Sequence, residues 1–249
     1  MGDSMKSIGA FFDIDGTLYR EGLISEMFKK LVKSDIINPE KWYNEVRPEY
    51  QKWDKRQGNY DDYLLKMADI YTQAIKGLHR SQVEFIAKQV ILQKGDRVYT
   101  FTRDRIKWHK EQGHKVITIS GSPIELVKEM ASKHGFDDYR GATYECADDG
   151  CYLGSIIPMW DSASKKKAIL EMAEKYDIDL SGSYAYGDTT GDYSMFEMVG
   201  NPYCVNPTRE LLTRVLGNPE IREKIQIIVE RKDMVYSLDP DCIDMDFKG

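Results

Sequence analysis

Apolar residues along this chain keep two different spacings, and the spacing changes twice. From Ile8 to Phe12 the side chains run without a polar break and stop at Asp13, the pattern of a strand covered on both faces. From Leu23 onward the spacing becomes helical. Leu23, Ile24, Met27, Phe28, Leu31 and Val32 form one stripe, and Tyr63, Leu64, Met67, Ala68, Tyr71 and Ile75 form another. A third helix is predicted through Val83, Ile86, Ala87 and Val90, and a short one over Trp42, Tyr43 and Val46 that Pro48 should end. Together these stripes predict a helical insert, residues 20–94.

Beyond the insert, helical and strand patterns alternate. Arg97 to Gln112 predicts a helix closed by Gly113, and Val116 to Ser120 a strand. A helix follows from Ile124 to His134, then a hairpin turning at Asp148-Asp149-Gly150. Lys165 to Tyr176 predicts a helix entered through Ser162-Ala163-Ser164, and Tyr184 opens a strand that runs into Asp188. A short strand is expected near Pro202 to Asn206, and an edge strand at Ile225 to Val229 ahead of a polar, acidic and disordered tail. Such alternation predicts an α/β protein with a Rossmann-like parallel sheet and helices on both faces. Residues 1–19 and 95–249 would build this core, and residues 20–94 a small helical domain inserted into it. Ligands of such sheets collect at the carboxyl ends of the strands.

The chemistry-bearing residues lie at those ends. Strand alternation points Asp13 and Asp15 to one side, where the chain turns at Gly16. Far downstream, Gly187-Asp188 ends another strand and Asp192 follows four residues on. Ser120 closes a third strand, and Lys165 stands at a helix start. Each has a plainer alternative: a turn with a helix cap for Asp-x-Asp-Gly, a cap for Ser120, a solvated face for Lys165-Lys166-Lys167. Lys165 is preferred over Lys166 or Lys167 because Ala168, Ile169 and Met172 fit a buried stripe that includes it. Ionised, these four carboxylates would repel one another unless a divalent cation and an ammonium offset them.

Composition narrows the partners. The chain has 249 residues and a net charge of −6, with no basic stretch, so nucleic acid is not an expected partner. No apolar run approaches the roughly 18 residues of a membrane span. No signal-peptide pattern opens the chain, and a cytoplasmic protein is expected. Cys146, Cys151, Cys204 and Cys242 lack metal-finger spacing, and His79, His109, His114 and His134 form no ligand cluster in sequence. Gly182 to Gly187 has P-loop glycine spacing but is followed by Asp188, not lysine, and Thr118 to Ser122 lacks the first glycine of a nucleophile elbow.

In the order Asp-x-Asp-Gly-Thr, strand-end serine, helix-start lysine and Gly-Asp-x-x-x-Asp, the chain resembles the haloacid dehalogenase-like superfamily of phosphohydrolases from about Ile8 to about Leu212. The resemblance implies that Asp13 is the nucleophile and forms a phosphoaspartate, and that Asp15 is the general acid and base. It implies Mg²⁺ held by Asp13, the main-chain carbonyl of Asp15 and Asp188, with Asp192 in a supporting position. Thr17, Ser120, Gly121 and Lys165 would cradle the phosphoryl oxygens. The helical insert is similar to the cap of the phosphoserine phosphatase-like branch, which implies a small phosphorylated metabolite as substrate. Phosphoserine leads, with a phospholipid head-group or histidinol phosphate as alternatives. Glu21 and Arg56 are the cap residues that would hold an amino acid, although Glu21 lies one position off the family spacing and both also fit plain surface charge. Trp42, Trp53, Tyr60 and Tyr63 fit the core of the cap or the lining of its pocket. A phospho-receiver domain would lack the helical insert and the Asp-x-Asp-Gly-Thr signature, and a metal-free dehalogenase needs no acid at position 15. A non-catalytic phosphate-binding module would have lost one of the acids, and all are present.

Overall fold

The computed structural model describes residues 6–55, 57–58 and 60–243. Its centre is β1 (Gly9–Phe12), whose residues are all buried because the strand is covered on both faces. Neighbouring side chains of β1 leave in opposite directions. Phe12 joins the apolar cluster that also holds residues of the inserted helices, whereas Phe11 joins a second cluster with Ala168, Ile169, Met172 and Phe196. Each such ring, fully buried, stabilises the fold by about 1.5–3 kcal/mol.

Between β1 and the next strand lie α1 (Leu23–Lys33), α2 (Pro39–Lys41), a π-helical turn (Trp42–Val46), α3 (Arg47–Asp54), α4 (Tyr60–Ile75), α5 (Arg80–Lys94) and α6 (Thr100–Glu111). Then come β2 (Lys115–Pro123), α7 (Ile124–His134), β3 (Asp138–Cys146), β4 (Tyr152–Ile157), α8 (Ser162–Lys175) and β5 (Tyr184–Gly187). The chain continues with α9 (Tyr193–Met198), β6 (Asn201–Val205), α10 (Arg209–Leu216), α11 (Pro219–Arg222), β7 (Gln226–Arg231) and β8 (Met234–Leu238). Eight strands form one sheet in the order β4-β3-β2-β1-β5-β6-β7-β8. All pairs are parallel except β3 with β4 and β7 with β8. This is the expected Rossmann-like α/β architecture. The order reverses direction at β1, where Phe12 is in register with Thr118 on one side and Tyr186 on the other, which opens a crevice beyond the strand ends.

Three local expectations are corrected. Pro48 does not end the short helix around Trp42; helical backbone runs from the π-helical turn, where the Arg47 N–H donates to the Trp42 carbonyl, into the first turn of α3, where Pro48 sits. The helix expected from Arg97 starts only at Thr100, because the preceding residues are tied back to the end of the first motif. Arg20 N–H donates to the Arg97 carbonyl, and Tyr99 N–H donates to the Leu18 carbonyl. The strand at 226–231 is not an edge, since Met234–Leu238 turns back and pairs with it. Every residue of β8 is exposed, so no alternation of buried and open positions marked it. The chain beyond residue 243, expected as a disordered tail, lies outside the described residues.

Among the described residues no helix is long and apolar enough to cross a membrane.

Candidate active site

Three strand ends and one helix start meet at the crevice. Asp13 follows β1, Asp188 follows β5, Ser120 to Ser122 belong to the last residues of β2, and Lys165 lies in the first turns of α8. That helix is placed by Asp161, whose side chain accepts from the Ser164 N–H at 2.9 Å as an N-cap. Its buried stripe is Lys165, Ala168, Ile169 and Met172, so Lys165 points inward while Lys166 and Lys167 are exposed.

The ammonium of Lys165 donates to Asp13 Oδ1 at 2.7 Å and to Asp192 Oδ1 at 2.5 Å, with all three side chains buried. Asp192 is held from its other side, since Oδ2 accepts from the N–H groups of Asp188 and Thr189 at 3.0 Å each. Asp188 Oδ1 accepts from the Thr17 hydroxyl at 2.8 Å. Asp13, Asp188 and Asp192 each offer an oxygen within 4.8 Å of the others, a set of hard oxygen donors. Two glycines make room for it. Gly16 has φ +85°, and a Cβ there would overlap the Asp188 carboxylate; a Cβ at Gly187 would overlap Asp192.

Crowding like charges without water costs free energy, and it moves the acids upward. Burial pushes Asp13 up to about 8, against the attraction of Lys165 and with the help of Asp192 and Asp15. Burial and the charges of Asp13 and Asp192 hold Asp188 well above the usual carboxylate range, although the Thr17 hydrogen bond opposes them. For Lys165 burial works against the charge, but Asp13 and Asp192 outweigh it and keep the ammonium protonated. Fully ionised, three carboxylates around one ammonium would carry excess negative charge in a buried place, which is what the raised values of Asp13 and Asp188 reflect. The donor chemistry and that excess both fit a divalent cation.

Asp15 plays a separate part. Its Oδ1 accepts from the Leu23 N–H at 2.7 Å, at the open start of α1, and its Oδ2 accepts from the Ser122 hydroxyl at 2.5 Å. Burial raises it, while Ser122, Leu23 and Ser120 oppose the shift.

A cavity of about 370 Å³ opens beside these groups, lined by Asp13, Asp15, Gly121, Ser122, Lys165 and Thr190 on the sheet side. Thr17 is not among its lining, because its hydroxyl is turned to Asp188 and its carbonyl accepts from Thr102 at 2.9 Å. Ser120 is fully buried behind Ser122, whose N–H donates to its hydroxyl oxygen at 3.2 Å. Glu21 lies outside the cavity lining and pairs with Arg97 at 2.6 Å, with both side chains nearly half exposed. Arg56 and the side chain of Tyr60 lie outside the described residues. Trp42, Trp53 and Tyr63 pack with Phe28 and Tyr50 in an aromatic cluster of the inserted helices. Sequence reasoning missed Ser122, Trp160 and Arg214 in the lining. Ser122 lies two residues beyond Ser120 in β2 and Trp160 precedes the cap of α8, so position beside a motif was the available signal.

The model of the haloacid dehalogenase-like hydrolase family matches residues 10–197. The inhibition of morphological differentiation protein of Streptomyces azureus is 28% identical over 216 residues, covering 86% of this chain and 77% of that protein. A probable phosphatase of Mycobacterium tuberculosis is 28% identical over 204 residues, covering 81% of this chain and 70% of its own length. Among solved structures, a protein of unknown function from Bordetella pertussis Tohama I aligns with a TM-score of 0.70 at 15% identity, over 86% of this chain and 96% of that one. A phosphoserine phosphatase solved as a phospho-aspartyl intermediate analogue aligns with a TM-score of 0.58 at 22% identity, over 92% and 95% of the two chains. Those two likenesses are of fold. Because the family model matches well over half of the chain, the chain belongs to the haloacid dehalogenase-like hydrolases.

Proposed function

We propose that the protein is a magnesium-dependent phosphomonoesterase that hydrolyses a small phosphorylated metabolite through a phosphoaspartyl intermediate on Asp13. The observation that carries it is the buried Asp13 carboxylate, gripped through Oδ1 by Lys165, grouped with Asp188 and Asp192, and lining an open cavity. Asp13 and Asp188, with the main-chain carbonyl of Asp15, are the residues to hold Mg²⁺. When bound, the ion supplies positive charge for the phosphoryl oxygens and for the acids that would otherwise repel them.

Asp13 Oδ2 attacks phosphorus while the bond to the ester oxygen breaks. Asp15 gives that oxygen its proton, and the alcohol leaves. Water then attacks the phosphoaspartate, Asp15 takes the water proton back, and inorganic phosphate departs with the Asp13 carboxylate restored. Ser122 suits this exchange, because its hydroxyl donates to ionised Asp15 and accepts from the protonated form at the same 2.5 Å separation. Lys165 holds Asp13 in the attacking orientation and offsets charge on the transferring group, and Asp192 fixes Lys165. Residues 20–94 act as a cap in this scheme, with α4 closing the far wall of the cavity.

Phosphoserine leads through the likeness of the cap, and Glu21 and Arg56 are the candidate residues to hold its amino acid. Glu21 is neutralised by Arg97 away from the cavity, so the proposal is made for the reaction and for a small monoester, not for that amino acid. The test is Asp13→Asn. Turnover of phosphate esters with magnesium present should fall by more than about a thousandfold with the fold intact. Robust hydrolysis by that variant would remove the nucleophile.

A further inference from the structure

The far wall of the cavity differs in character from its floor. Ile24 from α1, Leu64, Leu65 and Ala68 from α4, Tyr144 from β3 and Trp160 line it. Leu65 is 48% exposed and Trp160 is 36% exposed, although both belong to a concave wall. Large apolar side chains left open inside a pocket gain most when an apolar ligand covers them. Two charged side chains, Asp161 and Arg214, also line the cavity, and both are exposed. Asp161 caps α8, with both of its carboxylate oxygens receiving hydrogen bonds from Ser164, and the Arg214 guanidinium lies 3.7 Å over the Tyr193 ring.

We propose that the alcohol portion of the substrate is apolar, an arylalkyl or medium-chain alkyl phosphate, and that Leu64, Leu65, Ala68 and Trp160 are its specificity-determining wall. The assignment of substrate class rests on the phosphomonoesterase proposal above. An amino-acid ester such as phosphoserine would bring an ammonium and a carboxylate against leucine and alanine side chains, and charges moved out of water without partners are disfavoured. An arylalkyl group would exchange water for contact with the indole of Trp160 and the α4 leucines. The cavity, about 370 Å³, lies at the small end of the range of about 300–1,000 Å³ for ligand pockets, which fits one ring or a short chain beside the phosphate.

The experiment compares kcat/KM for 2-phenylethyl phosphate, hexyl phosphate and phosphoserine with magnesium present. All three release primary alcohols, so leaving-group chemistry contributes little to the differences. The apolar esters should be preferred over phosphoserine by at least about tenfold, a difference of about 1.4 kcal/mol. Leu65→Ser, at a half-exposed site that does not endanger folding, should cut that preference by about fivefold or more. Phosphoserine turned over as well as or better than the apolar esters overturns the assignment, as does an unchanged preference in Leu65→Ser. Calorimetry separates this from the reaction itself, using 3-phenylpropylphosphonate and 2-amino-4-phosphonobutanoate, which the enzyme cannot hydrolyse. Selective binding of the phenyl compound without turnover of any ester would remove the phosphatase proposal and support the apolar wall. Equal or weaker binding of the phenyl compound overturns the wall whatever the turnover.

Discussion

Replacing Lys165 by methionine keeps the bulk of the aliphatic stem and deletes the charge, which isolates the electrostatic role of this residue. In the native protein the ammonium is 3% exposed and bridges Asp13 and Asp192, whose side chains are 6% and 0% exposed. Its removal strands two buried carboxylates beside a third, Asp188. Breaking a buried ion pair from one side costs roughly 3–5 kcal/mol, because the remaining charge is left without compensation. For a chain of this length each kcal/mol moves the thermal midpoint by about 2–4 °C, so a fall of about 6–20 °C is expected. The assay is thermal unfolding followed by circular dichroism with a chelator present, so that no cation replaces the lost charge. Lys166→Met, at the exposed neighbouring position, should stay within about 0.5 kcal/mol of the parent. Adding Asp192→Asn to Lys165→Met should restore part of the loss, with a coupling of about 0.5–3 kcal/mol. A Lys165→Met midpoint within about 2 °C of the parent, where a loss of several kcal/mol was due, would refute the claim that this ammonium neutralises the acid cluster.

Chelation of divalent cations should abolish turnover, and added magnesium should restore it. Magnesium at about a hundred times its dissociation constant should also raise stability by about 2.7 kcal/mol, read as a higher midpoint; no shift would argue against a cation at Asp13 and Asp188. Gly16→Ala places a Cβ in a left-handed conformation at a cost of roughly 1–2 kcal/mol and drives it into the Asp188 carboxylate. The variant should stay folded yet lose on the order of a hundredfold in kcat/KM, and near-parental activity would show that Asp188 need not hold its position. His109 provides a pH test remote from the site. It is buried between Tyr186 and His114 with Arg105 nearby, and burial first, then those two charges, push it down to about 3. The unfolded chain takes up this proton near the ordinary histidine value of about 6.5 and the folded one does not, so stability falls as pH drops from about 6.5 toward 3. Between pH 6 and 4 the loss from this group should be about 2–3 kcal/mol, and the denaturant midpoint of His109→Gln should show that much less acid sensitivity.

Sequence alone determined the layered architecture, because burial period is written locally. β1 reads as an uninterrupted apolar run since both of its faces are covered, and α7 occupies the expected Ile124–His134 because its stripe and the left-handed Gly135 at its end are local features. The inward aim of Lys165 follows from its place on the stripe with Ala168, Ile169 and Met172. What the tertiary structure decided is who meets whom. The separation of 152 positions between Asp13 and Lys165 is closed by the order of strands in the sheet, which no local period encodes. Thr17 and Asp188 are 171 residues apart, and only their contact turns the threonine hydroxyl away from the cavity. Glu21 is likewise claimed by Arg97, which returns beside it after the whole insert. The apolar wall was equally hidden, since Leu64 and Ala68 fit a core stripe and reveal a ligand-facing role only once α4 is packed across the strand ends from Trp160. Periodicity fixes which side of an element is buried; the identity of the neighbour on that side depends on long-range packing, and so does every distance in the site.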